Sequence, residues 1–201
     1  MKYKIFHLII SEQHSSLVKP MINKKNINAF ALVGSFLILT CGGALADNLI
    51  KTGQWSYFSD TVMGGVSEGS ASFKNSGSEK FLRLTGEVST ENNGGFVQVR
   101  SAVPQGIAKA KTGIKIKVKG NGEQYYLHIR NSSTQLPWHY YQQGFDAKDT
   151  WQEIILPFDL FEKSSSLMWS KMKESTIKTI GIVAYGKDHT ADVSIMSLEF
   201  Y

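Results

Sequence analysis

The run Ile114-Lys115-Ile116-Lys117-Val118-Lys119 decides how the rest of the chain is read. β-Branched apolar residues alternate with lysines, which is the period of a strand with one buried and one wet face. The same alternation recurs on both sides of it. It is seen in Phe81–Glu87, Phe96–Arg100, Tyr125–Arg130, Trp138–Phe145, Trp151–Phe158, Ile177–Tyr185 and Val193–Tyr201. Turn signals separate these runs: Asn92-Asn93-Gly94-Gly95, Gly120-Asn121-Gly122, Asp146–Asp149 and Gly186-Lys187-Asp188. No segment after Asp47 keeps a helical period, and the candidate short helix is Ser165–Lys173, in the longest connection. Roughly eight to ten short strands predict an all-β fold, a sandwich or barrel, because such strands bury their apolar sides only by packing face to face.

The composition agrees with one domain that has a real core. Of 201 residues 42% are hydrophobic, with 18 Gly, 4 Pro and one Cys, which excludes collagen-like, disordered and disulfide-stapled chains. The net charge of +5 suggests nucleic acid only until it is placed along the chain. Five bases (Lys2, Lys4, Lys19, Lys24 and Lys25) and one acid (Glu12) lie in the first 46 residues, so the remainder is within one charge of neutral. A nucleic-acid binder needs a basic field, and none is expected here.

Residues 1–46 are expected to be an amino-terminal extension and signal peptide, with translation starting at Met21. From there two lysines precede an almost wholly apolar segment, Ala29–Thr40, and small residues end at Ala44-Leu45-Ala46. That is the order of an export signal cut after Ala46, leaving residues 47–201 as a periplasmic or extracellular domain. Two other readings keep the chain at a membrane. Ile27–Ala46 approaches the roughly 20 residues of a spanning helix if left uncleaved, and Ile38-Leu39-Thr40-Cys41 resembles a lipoprotein box with Thr in place of the usual small residue before a lipidated Cys41. Cleavage after Ala46 removes Cys41, the single cysteine, so no disulfide, thiolate nucleophile or Cys-based zinc site is expected.

Five segments together resemble the complex I intermediate-associated protein family. They are Ser59–Ser67 (SDTVMGGVS), Glu91–Phe96 (ENNGGF), Lys119–Tyr125 (KGNGEQY), Trp151–Phe158 with Phe161, and Ile180-Gly181-Ile182. Asn121 departs from the family pattern, which usually has Asp there. The resemblance implies a jelly-roll sandwich similar to galactose-binding and carbohydrate-binding modules. It also implies protein binding, since eukaryotic members act as assembly factors for respiratory complex I on the matrix side. An exported chain would lie on the opposite side of its membrane, so that role is not transferred by name.

The candidate site residues fall in two groups. Asp60, Met63, Gly64, Gly65 and Ser67 form a motif loop that either presents Asp60 and backbone amides to a ligand or packs Met63 and Val66 as a tight corner under the sandwich edge. Asn93, Gly94 and Gly95, with Asn92, read as a hairpin turn or as oxygen donors to calcium, with Glu91 the only nearby carboxylate. The second group lies on strands. If Val97, Val99, Tyr125, Leu127 and Ile129 point inward, then Gln98, Arg100, Tyr126, His128 and Arg130 point outward and would line a polar groove where their strands are neighbours. Trp138 adds either a sugar-stacking plane beside this groove or, by alternation with Tyr140, a core residue.

No metal site or cofactor is expected: His128, His139 and His189 have no ligand spacing. Catalysis has no recognisable motif either. The sequence therefore predicts a non-catalytic binding module. Its partner is a protein, with Leu167-Met168-Trp169 to Met172 as contact surface, or a carbohydrate bound through Tyr126, His128, Arg130 and Trp138. A hydrolase using Asp60 and His128 stands third.

Overall fold

The structure is a computed structural model that describes residues 47–201. The expected signal segment, the Met21 start and Cys41 lie outside the described residues. A single helical turn, α1 (Leu49–Thr52), opens the described chain. The strands follow in order: β1 (Trp55–Ser59), β2 (Glu68–Ser76), β3 (Glu79–Val88), β4 (Phe96–Ala102), β5 (Gly113–Gly120), β6 (Gln124–Asn131), β7 (Tyr141–Asp146), β8 (Gln152–Pro157), β9 (Glu162–Lys163), β10 (Ile177–Tyr185) and β11 (His189–Phe200). They form two antiparallel sheets, a six-stranded one ordered β1-β4-β10-β6-β7-β9 and a five-stranded one ordered β2-β3-β11-β5-β8.

Alternation dictates which side chains meet between the sheets. Val97 and Val99 of β4, Ile180 and Ile182 of β10, and Tyr125, Leu127 and Ile129 of β6 are all fully buried. They face Leu84 of β3, Ile114, Ile116 and Val118 of β5, and Val193 and Ile195 of β11, which are also fully buried. Each such side chain removed from water contributes on the order of 1.5–3 kcal/mol, so the alternating pattern itself holds the sandwich together. The lysines of the deciding run stand on the outer face of the five-stranded sheet, where Lys117 lies opposite Glu153 and Lys115 opposite Glu199. Nearby, Arg83 makes a bidentate pair with Asp192 at 2.8 and 2.6 Å. On this face cations and carboxylates interleave.

Four expectations are corrected. Ser165–Lys173 forms turns and bends, not a helix, and within it Met168 is only 4% exposed: its side chain joins the core instead of a contact surface. Asn92–Gly95 is not a hairpin turn, because β3 and β4 belong to different sheets and the segment crosses between them. The seventh strand begins at Tyr141 and not at Trp138, since Leu136–Tyr140 is a loop in which His139 bonds back to Leu136. α1, β1, β2 and β9 were not legible as periodic runs. α1 is held by Asn48, whose side chain accepts from Ile50 N and Leu198 N and donates to Met196 O, fastening the turn to β11.

The crossovers β1→β2 and β3→β4 are joined by one buried carboxylate. Asp60 has no exposed surface. Its oxygens accept from the Ser67 backbone at 2.9 Å, the Ser67 hydroxyl at 2.5 Å, Gly95 N at 2.5 Å and Phe96 N at 3.2 Å. Ser67 Oγ accepts in turn from Ser89 N at 3.0 Å, closing the network. Asp60 is therefore not offered to a ligand. The corner reading fails too, because Met63 is 66% and Val66 42% exposed instead of packed beneath the sheet edge. The glycines of both motifs are explained by this carboxylate. A Cβ on Gly65 would fall on the Asp60 carboxyl group, and one on Gly94 would lie 2.5 Å from Oδ2, while Gly64 turns through the left-handed region at φ 92°.

Burial alone would raise the Asp60 pKa, but the hydrogen bonds from Gly95, Ser67 and Phe96 outweigh it and hold the group below the ordinary 3.8. The lowered folded value means that Asp60 stabilises the protein above the unfolded pKa and that this contribution is lost as pH falls below 3.8 through the folded value. Asp60→Asn should lower stability by about 3 kcal/mol at pH 7, measured by urea denaturation, because its amide would set an N–H donor against N–H donors. The gap between wild type and variant should narrow as pH falls below 3.8, where Asp60 protonates first in the unfolded chain and then, lower still, in the folded protein.

Candidate functional site

The outer face of the six-stranded sheet carries a cleft of about 490 Å3. Its floor is β10, the central strand between β4 and β6. Because Ile180 and Ile182 point into the core, Thr179, Gly181, Val183 and Tyr185 face outward. Gly181 lies opposite Arg100 on one side and His128 on the other, and Val183 opposite Gln98 and Tyr126. Arg130 lies opposite Thr179. Glycine at 181 leaves the floor low between two long side chains, which opens the groove.

Of the sequence-derived residues, Gln98, Arg100, His128, Arg130, Trp138, Met63, Gly94 and Gly95 line this cleft. Tyr126 shares the face but not the cleft: its ring packs on Tyr185 at 4.6 Å and its hydroxyl donates to Gln124. Asp60, Gly64, Gly65, Ser67 and Asn93 are not in the lining; Asp60 and Ser67 position the loops beneath it. Trp138 is 62% exposed at the rim, so the core reading of this residue is overturned. Tyr140 is half-buried and stacks on the His128 ring, with centroids 4.0 Å apart and planes 12° from parallel. Val62 and Met63, carried by the Asp60-anchored loop, give one apolar wall.

The β10 contribution was missed, although the alternation of Ile177–Tyr185 contained it: once Ile180 and Ile182 are inside, residues 179, 181, 183 and 185 are outside. Phe58 of β1 was also missed, since that strand has no clear period. It lies 4.6 Å beneath the Arg100 guanidinium, which the ring attracts and orients.

The polar groups of the cleft are neutral or cationic. Burial drives the His128 pKa down to about 4 against an opposing contribution from Gln142, so the ring is uncharged at neutral pH. His128 Nε2 and Thr179 Oγ1 are buried without a hydrogen-bond partner among the described residues. Arg130 donates to Leu136 O at 2.9 Å. Burial, and then the charge of Arg100, lower the Arg130 pKa. Among the described residues no group of three His, Cys, Asp or Glu is placed to share a metal ion. In the Asn92–Gly95 segment, Gly95 N is aimed at Asp60 as a donor. A hydrolase reading loses its acid, since both Asp60 oxygens are committed to the loops.

Asn121 has a structural role. It accepts from Tyr125 OH at 2.7 Å and donates to Thr190 O at 2.8 Å, a donation that an ionised Asp could not make.

The fold is a jelly-roll β-sandwich. The solved structures similar to it include the family 11 carbohydrate-binding module of a cellulosomal cellulase of Clostridium thermocellum, at 12% identity and TM-score 0.60 over 73% of this chain and 86% of that one. The same module in complex with a β-1,3-1,4-mixed-linked tetrasaccharide matches at 13% identity and TM-score 0.61, over 73% and 87%. A family 30 carbohydrate-binding module matches at 10% identity and TM-score 0.50, over 68% and 91%. In sequence, residues 46–195 match the model of the Complex I intermediate-associated protein 30 (CIA30) family, and the chain belongs to that family. Among curated proteins none matches the sequence significantly.

His128 should titrate with a midpoint near pH 4 by NMR, well under the ordinary 6.5. The sign follows from the lowered folded value: the neutral ring favours the folded state, so its contribution is full above pH 6.5 and is lost progressively as pH falls toward about 4.

Proposed function

We propose that the cleft on the six-stranded sheet binds a saccharide, with a sugar ring laid on Trp138 and hydroxyls received by Gln98, His128, Thr179 and the two arginines. The observation that carries this reading is the exposed Trp138 plane at the rim of a largely apolar, aromatic-lined cleft into which Gln98, Thr179 and two arginines are set. An indole offers a flat apolar surface that matches the C–H face of a pyranose, and neighbouring donors and acceptors fix its orientation. The mixed-linked tetrasaccharide bound by the Clostridium module supports a glycan ligand on this architecture. The export segment expected in residues 21–46 would deliver such a module to envelope or extracellular glycans.

A panel of neutral oligosaccharides, including the β-1,3-1,4-mixed-linked tetrasaccharide, tests this by calorimetry. At least one should bind, and Trp138→Ala should weaken it by about 10-fold or more with the melting temperature unchanged, since the ring is mostly exposed. Undiminished binding in that variant would place the glycan elsewhere.

A second reading, association with a protein, is favoured by Leu167 and Trp169, which are 81% and 63% exposed in a neighbouring cleft of about 530 Å3. The name of the family points the same way. A photo-crosslinker at position 169 should then give one discrete protein adduct in cells, absent when the crosslinker is at Lys115 on the opposite sheet. A smear common to both positions would remove this reading.

A further inference from the structure

Resting on the saccharide reading, we propose that the ligand of this cleft is acidic: a glycan whose uronic-acid carboxylate is held between Arg100 and Arg130. The two arginines share one sheet face on either side of β10, Arg100 opposite Gly181 and Arg130 opposite Thr179. Two interstrand spacings and two residues of rise put their Cα atoms about 12 Å apart, a span that two long side chains can close around one carboxylate. Neither guanidinium has a carboxylate within 4.0 Å among the described residues, where the ion pairs are Lys51–Glu79, Arg83–Asp192 and Lys187–Glu123. No Asp or Glu lines the cleft.

The contrast with the other sheet shows that this is not the ordinary surface of the protein. There Lys115, Lys117 and Arg83 each have an acid across the strand or in contact. The chain after residue 46 is nearly neutral overall, so an unneutralised pair marks a local concentration of charge. The acids nearest the cleft do not offset it. Asp60 lies beneath the loops with its oxygens committed to Ser67, Gly95 and Phe96, Glu162 sits on β9, beyond β7 and toward Tyr185, and neither forms an ion pair with Arg100 or Arg130.

Each arginine is also braced before any ligand arrives. Arg100 lies over Phe58, and Arg130 is tied to Leu136 O, so little side-chain freedom remains to be lost on binding. Like charges held on one face repel, and a carboxylate between them removes the repulsion while receiving forked hydrogen bonds. A neutral sugar would leave that repulsion in place. The neutral His128 ring adds no charge at pH 7, so the preference rests on the two guanidiniums.

The test uses the expressed chain and three short uronic-acid oligosaccharides (galacturonate, mannuronate and glucuronate-containing), each beside its methyl ester, which keeps the ring and removes the charge. At least one acid should bind about 10-fold or more tighter than its ester in 20 mM salt, and the advantage should shrink in 200 mM salt. Arg100→Gln and Arg130→Gln should each bring acid and ester within about 2-fold of one another, because each removes a charge that only the acid can use. Equal binding of acid and ester by the wild type overturns the inference and leaves the saccharide reading standing. So does binding confined to neutral glycans. This comparison needs no variant, so it holds even if an arginine substitution unfolds the chain. A hexaglutamate peptide separates the two readings from the other side. Were it to bind as tightly as the uronides, unaffected by Trp138→Ala, the cleft would be an anion site and the saccharide reading would fall.

Discussion

A carboxylate with no exposed surface, Asp60, is the constraint around which the cleft end of the sandwich is built. Two crossovers between the sheets, β1→β2 and β3→β4, must run side by side for the strands to take their places, yet neither is long enough to have a core of its own. Asp60 supplies the common centre by accepting from Ser67 on one crossover and from Gly95 and Phe96 on the other. A buried charge is costly unless its oxygens are hydrogen-bonded, and here three backbone amides and the Ser67 hydroxyl serve them. The close approach that this demands explains why Gly65 and Gly94 carry no side chain.

That anchor has its functional effect at one remove. Val62, Met63, Gly94 and Gly95 form a wall of the cleft because the loops bearing them are held down by Asp60. The floor has a different origin, in the strand order of the six-stranded sheet. β10 brings β4 and β6 to its two sides, although Arg100 and His128 are far apart in the chain, and Gly181 leaves the gap between them. A jelly roll provides such an outer face whatever the function, so chemistry enters only through the residues placed on it. Here they are an exposed indole, a neutral half-buried imidazole and two guanidiniums without acids.

The two sheet faces also divide the charge of the domain. On the five-stranded sheet Lys115 and Lys117 lie opposite Glu199 and Glu153 on neighbouring strands, and Arg83 grips Asp192. Those pairs are screened by water and contribute little to stability individually. Their consequence is that the face is electrically balanced. The six-stranded face is not, and a near-neutral total conceals the difference.

Alternation made the sandwich legible: Ile114–Lys119, Tyr125–Arg130 and Phe96–Arg100 each state which side chains are buried, because the strand period is two whatever the partner strand is. It also correctly turned Gln98, Arg100, His128 and Arg130 outward. Strands without alternation, β1 and β2, could not be read, since their side chains are mostly exposed or half-buried on both faces and leave no apolar row. Trp138 misled because it sits two residues before Tyr140 in what reads as one period, yet the chain is a loop there and the indole stands in water. The sequence by itself determined the fold class, the inward rows and the outward rows. Only the tertiary structure decided that β10 lies between β4 and β6, that Asp60 faces inward to two crossovers, and that Arg100 and Arg130 share a cleft without an acid. Pairing between strands distant in the chain depends on the packing of the whole sandwich, which no local period records.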